Sequence, residues 1–169
     1  MRASVRFALV PVAALVLSAC GLQEGLDQRP DSGGANPSQA PSFSGTTLNG
    51  TALTWASLRD HVVVLDFWAS WCGPCRAEQS DINKLYQEYA SRGVVFLGID
   101  MRDDHAAALA YQRDQRVAYA SIADSAEQVS AAYNVSAPPT MIIIDKHGVI
   151  TRRLLGTVVG LRDELNRLL

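Results

Sequence analysis

The stretch Asp66-Phe67-Trp68-Ala69-Ser70-Trp71-Cys72-Gly73-Pro74-Cys75 decides how this chain folds. It continues the β-branched apolar run Val62-Val63-Val64-Leu65, and Val62–Trp68 together read as a buried strand. A helix over about Gly73–Ser91 follows, because Ile82, Leu85, Tyr86 and Tyr89 recur at helical spacing and Gly93 ends the pattern. A Cys-X-X-Cys pair where a strand hands over to a helix reads as a redox dithiol. Cysteines three apart on one helix face can close a small disulfide ring. Cys72 falls at the helix N-terminus, where unpaired N–H groups and the helix dipole favour a thiolate, so it is the expected attacking thiol. Cys75 lies one turn inside and is expected to be the less exposed, resolving thiol. Pro74 suits the first turn, where its missing N–H costs little. Gly73 lets a substrate backbone approach. Trp68 and Trp71 can shield the disulfide, although aromatics near a strand end are also ordinary core.

Asp66 is an acid inside the apolar strand, six residues before Cys72. Burial disfavours its charged form and raises its pKa. Such an acid beneath Cys75 can take up and return a proton as that thiol attacks a mixed disulfide. The competing reading is a structural Asp, hydrogen-bonded at the strand end.

Working outward, Phe43–Leu48 and Thr51–Thr54 form a hairpin around Asn49-Gly50, a strong turn signal. Trp55–Arg59 makes a helical turn. Val94–Ile99 is a second buried strand. Asp103 or Asp104 caps a helix running to about Gln115. A strand at Tyr119–Ala123 and a short helix at Ala126–Tyr133 come next. Thr140–Ile144 and Val149–Leu155 are strands joined by the Lys146-His147-Gly148 turn, and Gly160–Leu169 is a closing helix. Strands alternating with helices indicate an α/β domain, with an antiparallel edge from the last strand pair.

The whole chain of 169 residues is 48% hydrophobic and 19% charged, as expected of a globular protein. Its net charge of −2 argues against a broad basic surface, so nucleic acid is not an expected partner. A structural zinc site needs four Cys or His ligands, normally with a second Cys pair. That pair is missing, and His61, His105 and His147 are scattered singly, so no metal is expected. There are three cysteines, and the odd one is Cys20. It closes the tetrapeptide Leu17-Ser18-Ala19-Cys20, after a positive start at Arg2 and Arg6 and an uncharged apolar run of 11 residues, Phe7–Leu17. That run is too short to span a membrane, which takes roughly 20 residues, and has the length of a signal-peptide core. The tetrapeptide resembles a bacterial lipobox, which implies cleavage after Ala19 and a lipidated Cys20 as the new N-terminus. Ordinary cleavage near Ala19 is the alternative. Residues 21–42, rich in Gly, Pro, Ser, Gln, Asn and Asp, read as a flexible tether reaching about 25 Å. The expected organisation is thus a signal peptide at 1–19, a lipidated cysteine and tether at 20–41, and one domain at 42–169.

The Trp-Cys-Gly-Pro-Cys segment resembles the active site of the thioredoxin superfamily. With the lipobox, tether and initial hairpin, residues 42–169 resemble the membrane-tethered TlpA/ResA-like thiol–disulfide oxidoreductases. The resemblance implies a thioredoxin-like fold: a central mixed sheet flanked by helices, with an N-terminal β-hairpin. It also implies a cis-proline beside the dithiol. The match is Val135-Ser136-Ala137-Pro138-Pro139-Thr140, with Pro139 in the cis position. Pro138 departs from the aliphatic residue the family often carries, and removes an N–H from the substrate-pairing segment. Trp71, Gly73, Pro74, Pro138 and Thr140 are implied as substrate contacts. Asp66 matches the buried Asp of thioredoxin itself, where this branch often has Asn; the lysine near that Asp in thioredoxin has no counterpart in Val94–Ile99. Glu78 resembles a Glu that tunes the thiols in the ResA-like branch, and a solvated helix-surface role is its alternative. Ser80 stands where relatives have a helix-kinking proline, so the helix is expected to run straighter.

The implied activity is reduction of disulfides in exported proteins or apocytochrome c, outside the cytoplasm of a bacterium and on a lipid anchor. The redox-active disulfide Cys72–Cys75 serves in place of any cofactor. A membrane electron donor of the CcdA or DsbD type is the implied partner, and a monomer is expected. An oxidase forming disulfides in exported proteins is the main alternative. A peroxiredoxin-like peroxidase is disfavoured because the Pro-x-x-x-Thr-x-x-Cys arrangement is absent. A metallochaperone is disfavoured because copper carriers on this fold use Cys-x-x-x-Cys and a histidine.

Overall fold

A computed structural model describes residues 38–169. Eight strands form, in chain order, β1 (Ser38–Gln39), β2 (Ser44–Thr46), β3 (Ala52–Thr54), β4 (Val62–Trp68), β5 (Val94–Met101), β6 (Ser121–Asp124), β7 (Thr140–Ile144) and β8 (Val149–Leu155). The helices are α1 (Gly73–Ala90), α2 (His105–Gln115), α3 (Gln128–Ala132) and α4 (Leu161–Leu168), with a 3-10 turn at Trp55–Leu58. Six strands make the main sheet in the order β1-β8-β7-β4-β5-β6. The β4–β5 and β5–β6 pairs are parallel, while β7 runs antiparallel to both β4 and β8. Strands β2 and β3 form the separate hairpin expected at the N-terminal end.

Strand β4 is buried along its whole length, as its sequence, apolar except for Asp66, requires of a strand covered on both faces. Side chains alternate across a strand, so its seven residues divide between two cores. Val63, Leu65 and Phe67 join Leu97, Ile99, Ile122, Ile142 and Tyr133 on one face. Val62 and Val64 meet Ile82, Leu85 and Tyr89 of α1 and Leu161 and Leu165 of α4 on the other. Trp68 packs with Ala69, Cys72, Cys75 and Tyr111 in a third cluster. Asp66 lies between Val64 and Trp68 in this alternation, so strand parity places it on the helix- and cysteine-bearing face. By the same parity Gly98 and Asp100 of β5 share that face, being paired with Asp66 and Trp68.

The element boundaries differ in instructive ways. The sheet begins before residue 42: Ser38 and Gln39 pair with Ile150 and Val149, and Ala40 N–H donates to the Gly148 carbonyl at 2.8 Å. Residues 38–41 therefore belong to the folded unit and not to the tether, whose composition hid a two-residue edge strand. The signal-peptide and lipidation assignments, Cys20 included, lie outside the described residues. The hairpin strands are shorter than expected because Thr47 and Leu48 turn to β6: Thr47 bridges Ile122, and Leu48 N–H donates to the Ser121 carbonyl at 2.8 Å. Strand β5 runs two residues past Ile99, carrying Asp100 into the interior. Asp104 is the N-cap of α2, accepting from Ala107 N–H at 3.0 Å. Helix α1 is continuous through Ser80.

Gly98 is fixed by close packing. A Cβ there would lie 2.1 Å from Ser121 Oγ and 2.6 Å from Trp68 Nε1, two atoms that hydrogen-bond each other at 3.2 Å. Gly98→Ala is expected to cost about 1–3 kcal/mol by overpacking. The check is the urea midpoint, and an unshifted midpoint would show that this side of the sheet can give.

Candidate active site

Cys72 and Cys75 are disulfide-bonded across the mouth of α1, with their Cα atoms 5.3 Å apart. Cys72 is the helix N-cap, and its sulfur accepts the Cys75 backbone N–H at 3.1 Å. A thiolate at Cys72 thus gains a directed donor in addition to the helix dipole. The expected contrast in exposure is absent, since the two residues are 4% and 3% exposed. What distinguishes the cysteines is the N-cap position of Cys72. Pro74 stands in the first turn, as expected. A Cβ on Gly73 would meet nothing within 4 Å, so no internal packing demands glycine and the space above it is open.

The two tryptophans separate. Trp68 is buried and stacks on Tyr111, with ring centroids 4.4 Å apart. Trp71 is 55% exposed. Its indole N–H donates to the Arg102 carbonyl at 3.3 Å. Trp68 is the tryptophan that packs with the cysteines in the buried cluster.

The Pro138–Pro139 bond is cis, as the resemblance implied. Pro138 and Pro139 are half-buried, and the Pro139 carbonyl accepts from Gly156 N–H at 2.9 Å. Thr140 is buried and its hydroxyl donates to the Ala137 carbonyl at 2.9 Å, so its side chain closes the turn and does not face outward. A groove of about 590 Å³ runs beside this loop, lined by Ser136, Pro138, Pro139, Arg153 and Leu155 among others.

Asp66 is 2% exposed and accepts the Tyr119 hydroxyl at 2.6 Å. Gln79 Nε2 donates to that hydroxyl at 3.0 Å, and Gln79 Oε1 accepts the Tyr111 hydroxyl at 3.2 Å. Burial pushes the Asp66 carboxyl from an ordinary 3.8 up to about 6, the Tyr119 bond opposes the rise, and nearby Glu78 adds to it. Glu78 is not a solvated surface residue. It is half-buried, its Oε2 is shielded from solvent without a partner, and desolvation followed by the Asp81 charge raises its pKa against the Val158 N–H.

A second acidic group supports the loop before Cys72. Asp103 accepts the Ser70 backbone N–H and, at 2.7 Å, the Ser70 hydroxyl. Arg76 holds the Ser70 carbonyl at 2.6 Å from the other side. Behind Asp103 lies Asp100, 2% exposed. Burial, then the charge of Asp103 and its hydrogen bond, push Asp100 up to about 8, and its Oδ1 is buried without a partner.

A dithiol at a helix N-cap, a cis-proline and a buried acid with a near-neutral pKa together suit thiol–disulfide exchange. Residues 37–153 match the AhpC/TSA family. The chain belongs to the AhpC/TSA family. It is 35% identical over 166 residues to the thiol:disulfide interchange protein DsbE of Pseudomonas fluorescens, covering 93% of this chain and 89% of that protein. It is 31% identical over 130 residues to the thiol-disulfide oxidoreductase ResA of Geobacillus kaustophilus, covering 77% and 74%. Among solved structures, a thioredoxin-family thiol:disulfide interchange protein from Chlorobium tepidum superposes with a TM-score of 0.72 at 29% identity, over 79% of this chain and 97% of that one. A secreted Mycobacterium tuberculosis disulfide oxidoreductase superposes with a TM-score of 0.66 at 26% identity, over 75% and 93%. The fold is thioredoxin-like, and the protein is a thiol–disulfide oxidoreductase of the ResA/DsbE type with Cys72 and Cys75 as its Cys-X-X-Cys pair.

Sequence reasoning missed Tyr119, Gln79, Tyr111 and Asp103. Gln79 had a signal: it lies one turn beyond Cys75 on the inward face of α1. The tyrosines and Asp103 reach the site from distant segments and had none.

The raised pKa of Asp66 carries a stability consequence. The folded state binds this proton more tightly than the unfolded chain, so the contribution is full below pH 4 and falls as pH rises to about 6. Asp66→Asn stays neutral and is expected to be more stable than wild type by up to about 3 kcal/mol above pH 6. The gap should close on acidification towards pH 4. Denaturant unfolding from pH 4 to 7 measures this, and a pH-independent gap would contradict the assignment.

Proposed function

We propose that the protein is an extracytoplasmic reductase of disulfides in exported proteins, held at a bacterial membrane by lipid on Cys20. The observation that carries the chemistry is the Cys-Gly-Pro-Cys dithiol at the N-cap of α1, on the sheet face that also bears the buried Asp66. The Cys72 thiolate attacks one sulfur of a substrate disulfide. A mixed disulfide forms and the other substrate sulfur leaves as a thiolate, which takes a proton from solvent. Cys75 then attacks the Cys72 sulfur and passes its proton to Asp66. The second substrate sulfur leaves, and the enzyme is left with the Cys72–Cys75 disulfide. An acid with a pKa near 6 is a carboxylate at neutral pH, yet basic enough to hold a proton transiently.

Glu78 raises the pKa of Asp66 and tunes this step through it. The substrate segment lies along the cis-Pro loop, touching Trp71, Gly73, Pro74, Pro138 and Pro139. Pro138 has no N–H, so this segment meets the substrate through carbonyl acceptors, which narrows the range of partners. Gly-Pro between the cysteines favours the reducing direction, by resemblance to thioredoxins. Electrons then come from a membrane thiol carrier of the CcdA or DsbD type, and apocytochrome c is a substrate of the right class. The names of the DsbE and ResA relatives support the exchange chemistry, and the secreted M. tuberculosis relative supports the location. Among the described residues no helix is long and apolar enough to cross a membrane. In this reading attachment is through lipid on Cys20.

The midpoint potential against glutathione tests direction. A value near that of thioredoxin, about −270 mV, is expected, while one near that of DsbA, about −120 mV, means the protein is an oxidant. Intact mass of membrane-extracted protein tests the anchor: a lipid-modified chain starting at Cys20 is expected, and an unmodified chain or another N-terminus contradicts it.

A further inference from the structure

Arg102 sits in the turn between β5 and α2 and plays no part in the exchange steps above. It touches both loops that frame the dithiol. Its backbone carbonyl accepts the indole N–H of Trp71 at 3.3 Å. Its guanidinium lies over the Trp71 ring, 5.9 Å from the centroid. Its Nη2 donates to the Ser136 carbonyl at 3.3 Å, two residues before Pro138. Its Nε pairs with Glu127 Oε1 at 2.9 Å. One side chain thus joins the Cys72 loop, the cis-Pro loop and the N-cap residue of α3.

The backbone makes this more than a surface contact. Arg102 and Glu127 both have left-handed conformations, with φ of +48° and +55°. Such conformations disfavour long side chains and persist where surrounding contacts hold them. The two strained positions are tied to each other through their side chains. Both side chains are part-exposed, 43% and 39%, and an ion pair in that setting adds little to stability. The geometry of the rim is what remains for it to serve. Trp71, the residue it holds, is 55% exposed beside Cys72, whereas Trp55 and Trp68 are buried.

We propose that Arg102 is a positioning residue that fixes Trp71 against the Ser136–Pro139 loop and so sets how tightly a protein substrate is captured. The exchange chemistry itself stays with Cys72, Cys75 and Asp66. This inference rests on the reading that the natural substrates are proteins. A small disulfide needs only access to the Cys72 sulfur, whereas an extended polypeptide must lie across Trp71 and the cis-Pro loop at once. Arg102 acts on that second requirement.

The test compares full-length wild type with Arg102→Ala, Arg102→Lys and Arg102→Gly. Arg102→Gly removes the side chain while relieving the left-handed backbone, so it stays informative if Arg102→Ala folds poorly. Acrylamide quenching of tryptophan fluorescence reads Trp71, the one exposed tryptophan among the described residues, with Trp71→Phe as the reference. Both truncations should raise quenching, and Arg102→Lys should fall between them and wild type. With insulin as the disulfide probe, KM should rise about tenfold in the truncations while kcat holds. Exchange with glutathione disulfide and the midpoint potential should not change. Unchanged quenching overturns the proposal. So does raised quenching with an unchanged insulin KM, or an equal loss in glutathione exchange. A wild type that exchanges with glutathione yet acts on neither insulin nor a reduced unfolded protein fails the protein-substrate reading, and the inference built on it falls too. Quenching then still reports separately whether Arg102 holds Trp71.

Discussion

A carboxyl group inside a strand with no solvent on either face constrains the rest of this molecule. Asp66 interrupts the apolar run of β4 between Val64 and Trp68. An isolated buried carboxylate is costly unless its oxygens find donors. Tyr119 supplies one, and Gln79 and Tyr111 extend the chain of hydrogen bonds into α1 and α2. Those bonds tie the dithiol helix to the segment entering β6, forty residues away in sequence. The network offsets part of the burial cost and leaves the rest as a raised pKa. In the proposed exchange that residual is what lets the group take up the Cys75 proton. Near neutral pH the group is a base strong enough to receive a thiol proton and weak enough to give it back.

The same economy governs the loop before Cys72. Ser70 is held at its N–H, hydroxyl and carbonyl by Asp103 and Arg76. Asp103 lies beside the buried Asp100, whose pKa its charge helps to raise. Two buried acids on one sheet face therefore sit in different surroundings. Asp66, in β4, accepts the Tyr119 hydroxyl and has its pKa raised to about 6. Asp100 is buried behind Asp103, which with Arg76 holds the loop before Cys72. Gly98 leaves the space that lets Trp68 and Ser121 meet between them.

Much of this was legible in the sequence because it was local. The β4 run, the Cys-Gly-Pro-Cys motif at a strand-to-helix junction and the Asn49-Gly50 turn each declare themselves within a few residues. The burial and raised pKa of Asp66 followed from one acid in one apolar strand. The cis bond at Pro139 was legible only through the family resemblance, since Pro138-Pro139 alone reads as a trans loop. What escaped was non-local. Tyr119 looked like the start of a strand, and only its position over Asp66 gives its hydroxyl a purpose. Strand β1 is two residues of Ser-Gln whose pairing depends on β8 being beside it. Arg102 and Asp103 lay in a segment that local signals mark only as a helix start.

The most direct measurement is a carbon-13 NMR titration of the Asp66 side-chain carboxyl in the oxidised protein, followed in wild type and Tyr119→Phe. An inflection near pH 6 is expected in wild type, and removal of the Tyr119 donor should move it higher. An inflection near the ordinary 3.8, or one that Tyr119→Phe leaves in place, would contradict a buried, tyrosine-tethered acid in β4.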